Sequence, residues 1–256
     1  MIRSLARKIL QNSSAAYELR QRLDLLPAIL AGRKRGARRT WSQHREDEHL
    51  AGALADIIDT GFYVDVGSNH PVKISNTYRL YCLGMRGICI EPTASLARLH
   101  ARFRDEDTVL NGAVGTDDRL MVLYEMYPHM FSTFSREQCE QNLQRGMKLL
   151  RQALVPVFRL STILDSYTPR GRGKFALLSV DTEGFDEVVL RSNDWERFRP
   201  RLVVAEGNDE QSAATIRGFL QSVGYTIAQS FGINAIFQDA GPASAAARGA
   251  AAATPR

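Results

Sequence analysis

Apolar positions recur along this chain at two spacings, and the switching between them predicts the fold. Ile2, Leu5 and Ile9 fall on one helical face with Arg3, Arg7 and Lys8 outside it, and Leu19, Leu23, Leu26 and Leu30 predict a second helix. Residues 41–59 read as a helix striped by Leu50, Leu54, Ile57 and Ile58. Its first turns hold Glu46, Asp47 and Glu48, where acids favour the helix dipole. From there short β-branched runs alternate with amphipathic stretches. Strands are predicted over 63–66, 87–90, 108–111, 175–180 and 201–205, and helices over 75–83, 95–103, 185–192 and 213–223. Residues 120–124 read as an added strand, 135–154 as an amphipathic excursion and 160–167 as a short helical turn. Residues 225–229 and 234–237 read as a closing pair of strands. Such alternation calls for an α/β fold: a doubly wound, mostly parallel sheet with helices on both faces. Three regions follow: a basic helical extension over 1–40, one α/β domain over 41–238, and an Ala-rich tail over 239–256, expected to be disordered for want of large apolar residues.

Charge changes the picture only once it is located. The net charge is +5, yet residues 1–40 hold ten Lys/Arg against two Asp/Glu, about +8, which leaves roughly −3 for the remainder. A mildly acidic body argues against a nucleic-acid enzyme, whose positive charge would gather around its cleft. The basic N-terminal run has two readings. One is peripheral contact with an anionic membrane face, where a lipid-linked glycan is found; the other is a helical extension with a solvated basic linker. Cys82, Cys89 and Cys139 are odd in number and not closely spaced, which speaks for small apolar fillers rather than disulfides or a zinc knuckle. Without an apolar run near ~20 residues or a cleavable leader pattern, a cytoplasmic protein is expected, with any membrane contact peripheral at the inner face.

The candidate chemistry clusters at strand ends. In Gly61-Phe-Tyr-Val-Asp-Val-Gly67 a buried strand ends in a carboxylate, Asp65, and a turn glycine, where open α/β sheets place their ligands. The next predicted strand ends in Glu91, 24 positions after Gly67, a spacing suited to an acid that accepts bonds from both ribose hydroxyls of a nucleoside. Gly67 is followed by Ser68, Asn69 and His70, so the G-x-G-x-x-G that cradles a pyrophosphate is missing, as is a P-loop. A nucleoside without a pyrophosphate points to S-adenosylmethionine. In Leu110-Asn-Gly-Ala113, Ala113 would let an adenine lie flat and Asn111 would bond its edge; a plain strand-to-turn transition explains the same letters. Asp181, Glu183 and Asp186 follow another strand. They read as helix N-terminal acids, as holders of a divalent ion, or as groups that position an acceptor hydroxyl, with Asp186 on the structural side. His70 follows the glycine turn and is a candidate general base, and Ser75 a helix cap.

Taken in order, Ser42-Gln43, Glu46-Asp47, the Gly61–Gly67 run, His70-Pro71, Ser75-Asn-Thr-Tyr78 and Gly87-Ile-Cys-Ile-Glu-Pro92 form a recognisable series. It continues through Ser132-Thr-Phe134, Ser179-Val-Asp-Thr-Glu-Gly184, Leu190-Arg-Ser-Asn-Asp-Trp195, Arg199-Pro200 and Glu206. The series resembles the FkbM family of methyltransferases over residues 41–237. That resemblance implies a class I, Rossmann-like fold with a seven-stranded sheet, the cofactor S-adenosylmethionine, and methylation of an oxygen, often on a sugar of a glycan or a secondary metabolite. By match to its motifs Asp65 and Gly67 contact the cofactor and Glu91 its ribose, and Asn69 beside the glycine turn is a further candidate cofactor contact. The chain departs from the pattern at Ser68-Asn69 and at Arg45, where relatives carry a glycine. The expected reaction is O-methylation with Asp181 or His70 as general base; a metal on Asp181 and Glu183 is the alternative way to lower the hydroxyl's pKa. A methyltransferase acting on protein or nucleic acid and a non-catalytic binding module are the rivals, and residues 126–144 are read as a lid over the acceptor.

Overall fold

A computed structural model describes residue 19, residues 40–169 and residues 171–241. The expected N-terminal helices, the basic run and the tail beyond residue 241 lie outside the described residues, apart from residue 19.

The chain enters through α1 (Glu46–Ala53) and a 3-10 turn (Ala55–Ile57), then lays down β1 (Gly61–Val66), α2 (Tyr78–Leu83), β2 (Arg86–Ile90), α3 (Ala94–Phe103) and β3 (Thr108–Leu110). After an inserted unit come α5 (Leu160–Ser166), β7 (Lys174–Val180), α6 (Asp186–Arg191), β8 (Leu202–Glu206), α7 (Glu210–Ser222), β9 (Tyr225–Phe231) and β10 (Asn234–Asp239). Seven strands form one sheet in the order β3-β2-β1-β7-β8-β10-β9, with β10 antiparallel to both its neighbours and the other pairings parallel. This is the Rossmann-like arrangement expected, and the chain order reverses between β1 and β7. Strand carboxyl ends diverge at such a switch point and leave a crevice.

Side-chain alternation on β1 divides the core. Phe62, Val64 and Val66 pack with Leu160, Val189 and Ile216 on the face covered by α5, α6 and α7. Tyr63 packs with Leu50, Leu80 and Leu96 on the face covered by α1, α2 and α3. Central strands buried on both faces account for the nearly unbroken apolar runs.

The inserted unit corrects the sequence reading. β5 (Arg119–Tyr127) extends the expected strand and does not join the main sheet. It forms a second, three-stranded sheet in the order β4-β6-β5 with β4 (Ala113–Val114) and β6 (Lys148–Phe158). The excursion over 135–154 is helical only in α4 (Arg136–Gln144). Gly146, at φ 87°, ends that helix, and the remainder runs as the eleven-residue β6. Two boundaries also move: α1 stops at Ala53, and β10 reaches Asp239, inside the stretch assigned to the tail.

Candidate functional site

Gly67 turns the chain at the carboxyl end of β1 with φ 74°. A Cβ there would lie 1.9 Å from the carbonyl oxygen of Asp181, so both the backbone angle and the close approach of β7 require glycine. The amides of Gly67 and Ser68 both donate to the Ile90 carbonyl, at 3.0 and 3.1 Å, binding the turn to the end of β2. Asn69 follows in the left-handed region at φ 47°.

Glu91 closes the other side of the turn. Its two carboxylate oxygens accept from the amides of Asn69 and Thr93, both at 2.8 Å, so the side chain has one fixed direction. Only 4% exposed, it is pushed up to about 7, chiefly by burial and against the pull of those amide bonds. Two carboxylate oxygens fixed in this way fit a vicinal diol.

Above these strand ends lies a cavity of about 1090 Å³. That exceeds the roughly 300–1,000 Å³ of single-ligand pockets, leaving space for two reactants. Gly67, Asn69, Glu91, Ala113 and Asp181 all line it, along with Glu183. The three-stranded sheet and α4 form its far wall. Asp181 is open to the cavity's water, yet the protein enclosing its other sides and the neighbouring Glu206 carboxyl both push its carboxyl well above the usual range. The neighbouring Glu206 carboxyl is raised as well, chiefly by burial. Loss of water, then Asp181 and Asp186, raise Glu183 to about 7.

A family model for the methyltransferase FkbM domain matches residues 65–227, well over half of the chain. The chain belongs to the FkbM methyltransferase family. No curated protein matches it.

Other residues singled out from the sequence sit elsewhere in this FkbM methyltransferase. Asp65 is not at the cavity. It shares Tyr63's face of β1, where it accepts a short bond from Thr77 Oγ1 and lies 3.9 Å from Arg104 Nη1. Arg104, fully buried, donates from Nε to Asp107 at 2.7 Å and from Nη2 to Tyr63 and Thr77, so Asp65 belongs to a polar brace behind the glycine turn. His70 is buried too, its Nδ1 accepting from the amides of Val72 and Lys73 at 3.1 and 3.0 Å, and it is absent from the cavity lining. It organises the loop that follows the turn. Asn111 does not line the cavity either. Its Nδ2 donates to the carbonyls of Glu91 and Pro92, fastening the ends of β2 and β3 together. Asp186 accepts from Thr182 N and Oγ1 and from Glu206 N, holding the ends of β7 and β8 in register. Ser75 Oγ accepts from the amide of Tyr78, the first residue of α2. Among the described residues no group of three or more His, Cys, Asp and Glu is placed to hold a metal ion.

The acidic pair at the domain's start is a clasp. Glu46, fully buried, accepts from His44 N and Asn234 Nδ2 and so ties α1 to β10, while Asp47 accepts from Thr40, Trp41 and Ser42. Arg45 has φ 71°, a left-handed backbone that favours glycine. Two histidines escaped the sequence reading. Burial holds His100 neutral, lowered to about 3, and its Nε2 donates to the carbonyls of Ser68 and Asn69. His129, in a 3-10 turn (His129–Phe131) after β5, places Nε2 2.8 Å from Asn69 Oδ1 and so fastens the cavity's far wall to the glycine loop. Neither has a local sequence signal, because both depend on contacts 31 and 60 residues apart.

Proposed function

We propose that this protein is an S-adenosylmethionine-dependent O-methyltransferase acting on a hydroxyl of a sugar, glycan or related metabolite. The observation that carries the reading is the shared cavity, with a directed carboxylate, Glu91, at one strand end and a second carboxyl, Asp181, at the switch point. The residues present fit the donor: Glu91 offers two oxygens to a ribose diol, Ala113 leaves a flat surface for a purine, and the Gly67 turn has no side chain in the way. S-adenosylmethionine, when bound, supplies a methyl group made electrophilic by a sulfonium.

The chain's own part is orientation and proton removal. A sugar hydroxyl is a weak nucleophile until it loses its proton, and the proton must go to a group of raised basicity. Asp181 opens to the cavity with the Glu206 carboxyl beside it, and both are raised above their usual range. Raised basicity is what the task asks of a carboxylate. His70, tied up by two amides outside the cavity, does not enter the step, and Asp181 is the base. Glu206 acts through Asp181.

The test is transfer of a labelled methyl group from S-adenosylmethionine to glycoside and polysaccharide acceptors, with mass-spectrometric location of the methyl. Asp181→Asn is expected to lower kcat by about 10²–10⁴-fold with donor affinity retained. Label found only in protein or RNA would sink the acceptor class, and full turnover of Asp181→Asn would sink the base.

A further inference from the structure

The cavity's two walls carry opposite charge. The main sheet presents Asp181 and Glu183; the opposite wall presents Arg119 and Arg145. Arg119 begins the row Arg119, Met121 and Leu123, which faces the cavity from β5, while Leu120 and Val122 between them point away and are exposed. Arg145 ends the series Ser135, Gln138, Asn142 and Arg145, whose spacing brings one face of α4 to the cavity. That face is polar, the reverse of a helix docked on a core. Asn142 is spent internally, donating to the Phe131 carbonyl and accepting from Gln138. Arg119 and Arg145 are exposed, and neither side chain has an ion pair or hydrogen bond among the described residues. Arg136, on the same helix but outside the cavity lining, pairs with Glu140.

From this pairing of walls we infer that the methyl acceptor bears an acidic group, a carboxylate or a phosphate, which Arg145 and Arg119 bind. The inference rests on the O-methyltransferase reading above. Guanidinium groups match carboxylate and phosphate oxygens with two parallel N–H donors, which makes them selective for such groups. The donor of that reading carries a sulfonium and an ammonium against one carboxylate, so its net positive charge suits the acidic wall. The arginine wall is left for a partner of the other sign. One cavity then sorts two substrates by charge and brings them together in a single orientation.

The experiment titrates protein loaded with S-adenosylhomocysteine against methyl β-D-glucuronide, glucose 1-phosphate and, as neutral reference, methyl β-D-glucoside, with binding read from ligand NMR. At least one acid sugar is expected to bind about tenfold or more tightly than the glucoside, with the preference weakening as salt rises. Which acid sugar wins distinguishes carboxylate from phosphate. Arg145→Ala and Arg119→Ala, both exposed positions, are each expected to lose most of that preference while keeping S-adenosylhomocysteine affinity within about twofold. Equal binding of acid and neutral sugars, or no binding of any, overturns the inference. So does a variant that loses S-adenosylhomocysteine affinity but keeps the acid preference, since its guanidinium then serves the donor's carboxylate. Failure of the unmodified protein to bind S-adenosylhomocysteine counts against the methyltransferase reading instead.

Discussion

Replacing Gly67 with alanine probes the turn on which the site is built. The new Cβ would lie 1.9 Å from the Asp181 carbonyl oxygen, about 1 Å inside the 3.0 Å limit below which such contacts are essentially never seen. The φ of 74° adds roughly 1–2 kcal/mol, the cost of left-handed backbone for a residue with a Cβ. Relief requires β1 and β7 to part where Asp181 N donates to Val66 O at 3.1 Å, an overpacking penalty of about 1–3 kcal/mol. The sum, about 2–5 kcal/mol, corresponds to a melting temperature lower by about 4–20 °C in a domain of this size. Because the same movement shifts Asp181 and loosens the turn beside Glu91, affinity for S-adenosylhomocysteine should fall by about 100-fold or more. Thermal unfolding followed by circular dichroism and calorimetric titration measure the two effects. Gly84→Ala is the control: φ is 111° and nothing lies within 4 Å of the added carbon, so strain alone operates and ligand affinity stays unchanged. A Gly67→Ala protein that melts with the parent and binds within about twofold would refute the reasoning.

Further outcomes follow from groups already described. Glu91 is raised to about 7 in the folded chain against an ordinary 4.5, so the ligand-free fold is favoured while both forms are protonated. That advantage is lost as pH rises through about 7, on the order of 3 kcal/mol; Glu183 and Asp186, raised to about 7 and 6, add in the same direction. Melting curves from pH 4.5 to 8.5 should therefore fall toward the alkaline end, and Glu91→Gln should flatten the fall; parallel slopes would contradict the assignment. Ionising these acids favours a cationic donor over its neutral-sulfur product, so the ratio of S-adenosylmethionine to S-adenosylhomocysteine affinity should rise between pH 6 and 8. A ratio constant with pH would count against the acidic wall's part in binding. Arg45→Gly relieves left-handed strain at the loss of an exposed pair with Glu48, and should raise stability by about 0.5–1 kcal/mol in chemical denaturation.

The main sheet was readable because each central strand is a short, doubly buried apolar run bounded by polar turns. The three-stranded sheet was not. Cys139, Leu143, Met147, Leu150 and Leu154 recur at helical spacing across what is in fact a helix, a glycine stop and a strand, and Gly146 was the signal that separated them. Gly67 and Glu91, which line the cavity, stand at a turn and a strand end, both local events in the sequence. The position of Asp65 beside Thr77 and Arg104 follows from the parity of β1, which puts it on the same face as Tyr63. Arg104 and Asp107 look like solvated charges at the end of a helix, yet they lie at the centre of a buried polar network assembled from β1, α2 and α3. His129 and Arg145 reach the cavity from the inserted unit, whose placement over the switch point no single segment encodes.

A crystal structure with S-adenosylhomocysteine measures most directly where the donor's nucleoside lies. The expected density places both ribose hydroxyls within hydrogen-bond distance of the Glu91 carboxylate, the purine against Ala113, and the sulfur toward Asp181. Density for the ligand outside this cavity, or a ribose with no contact to Glu91, contradicts it.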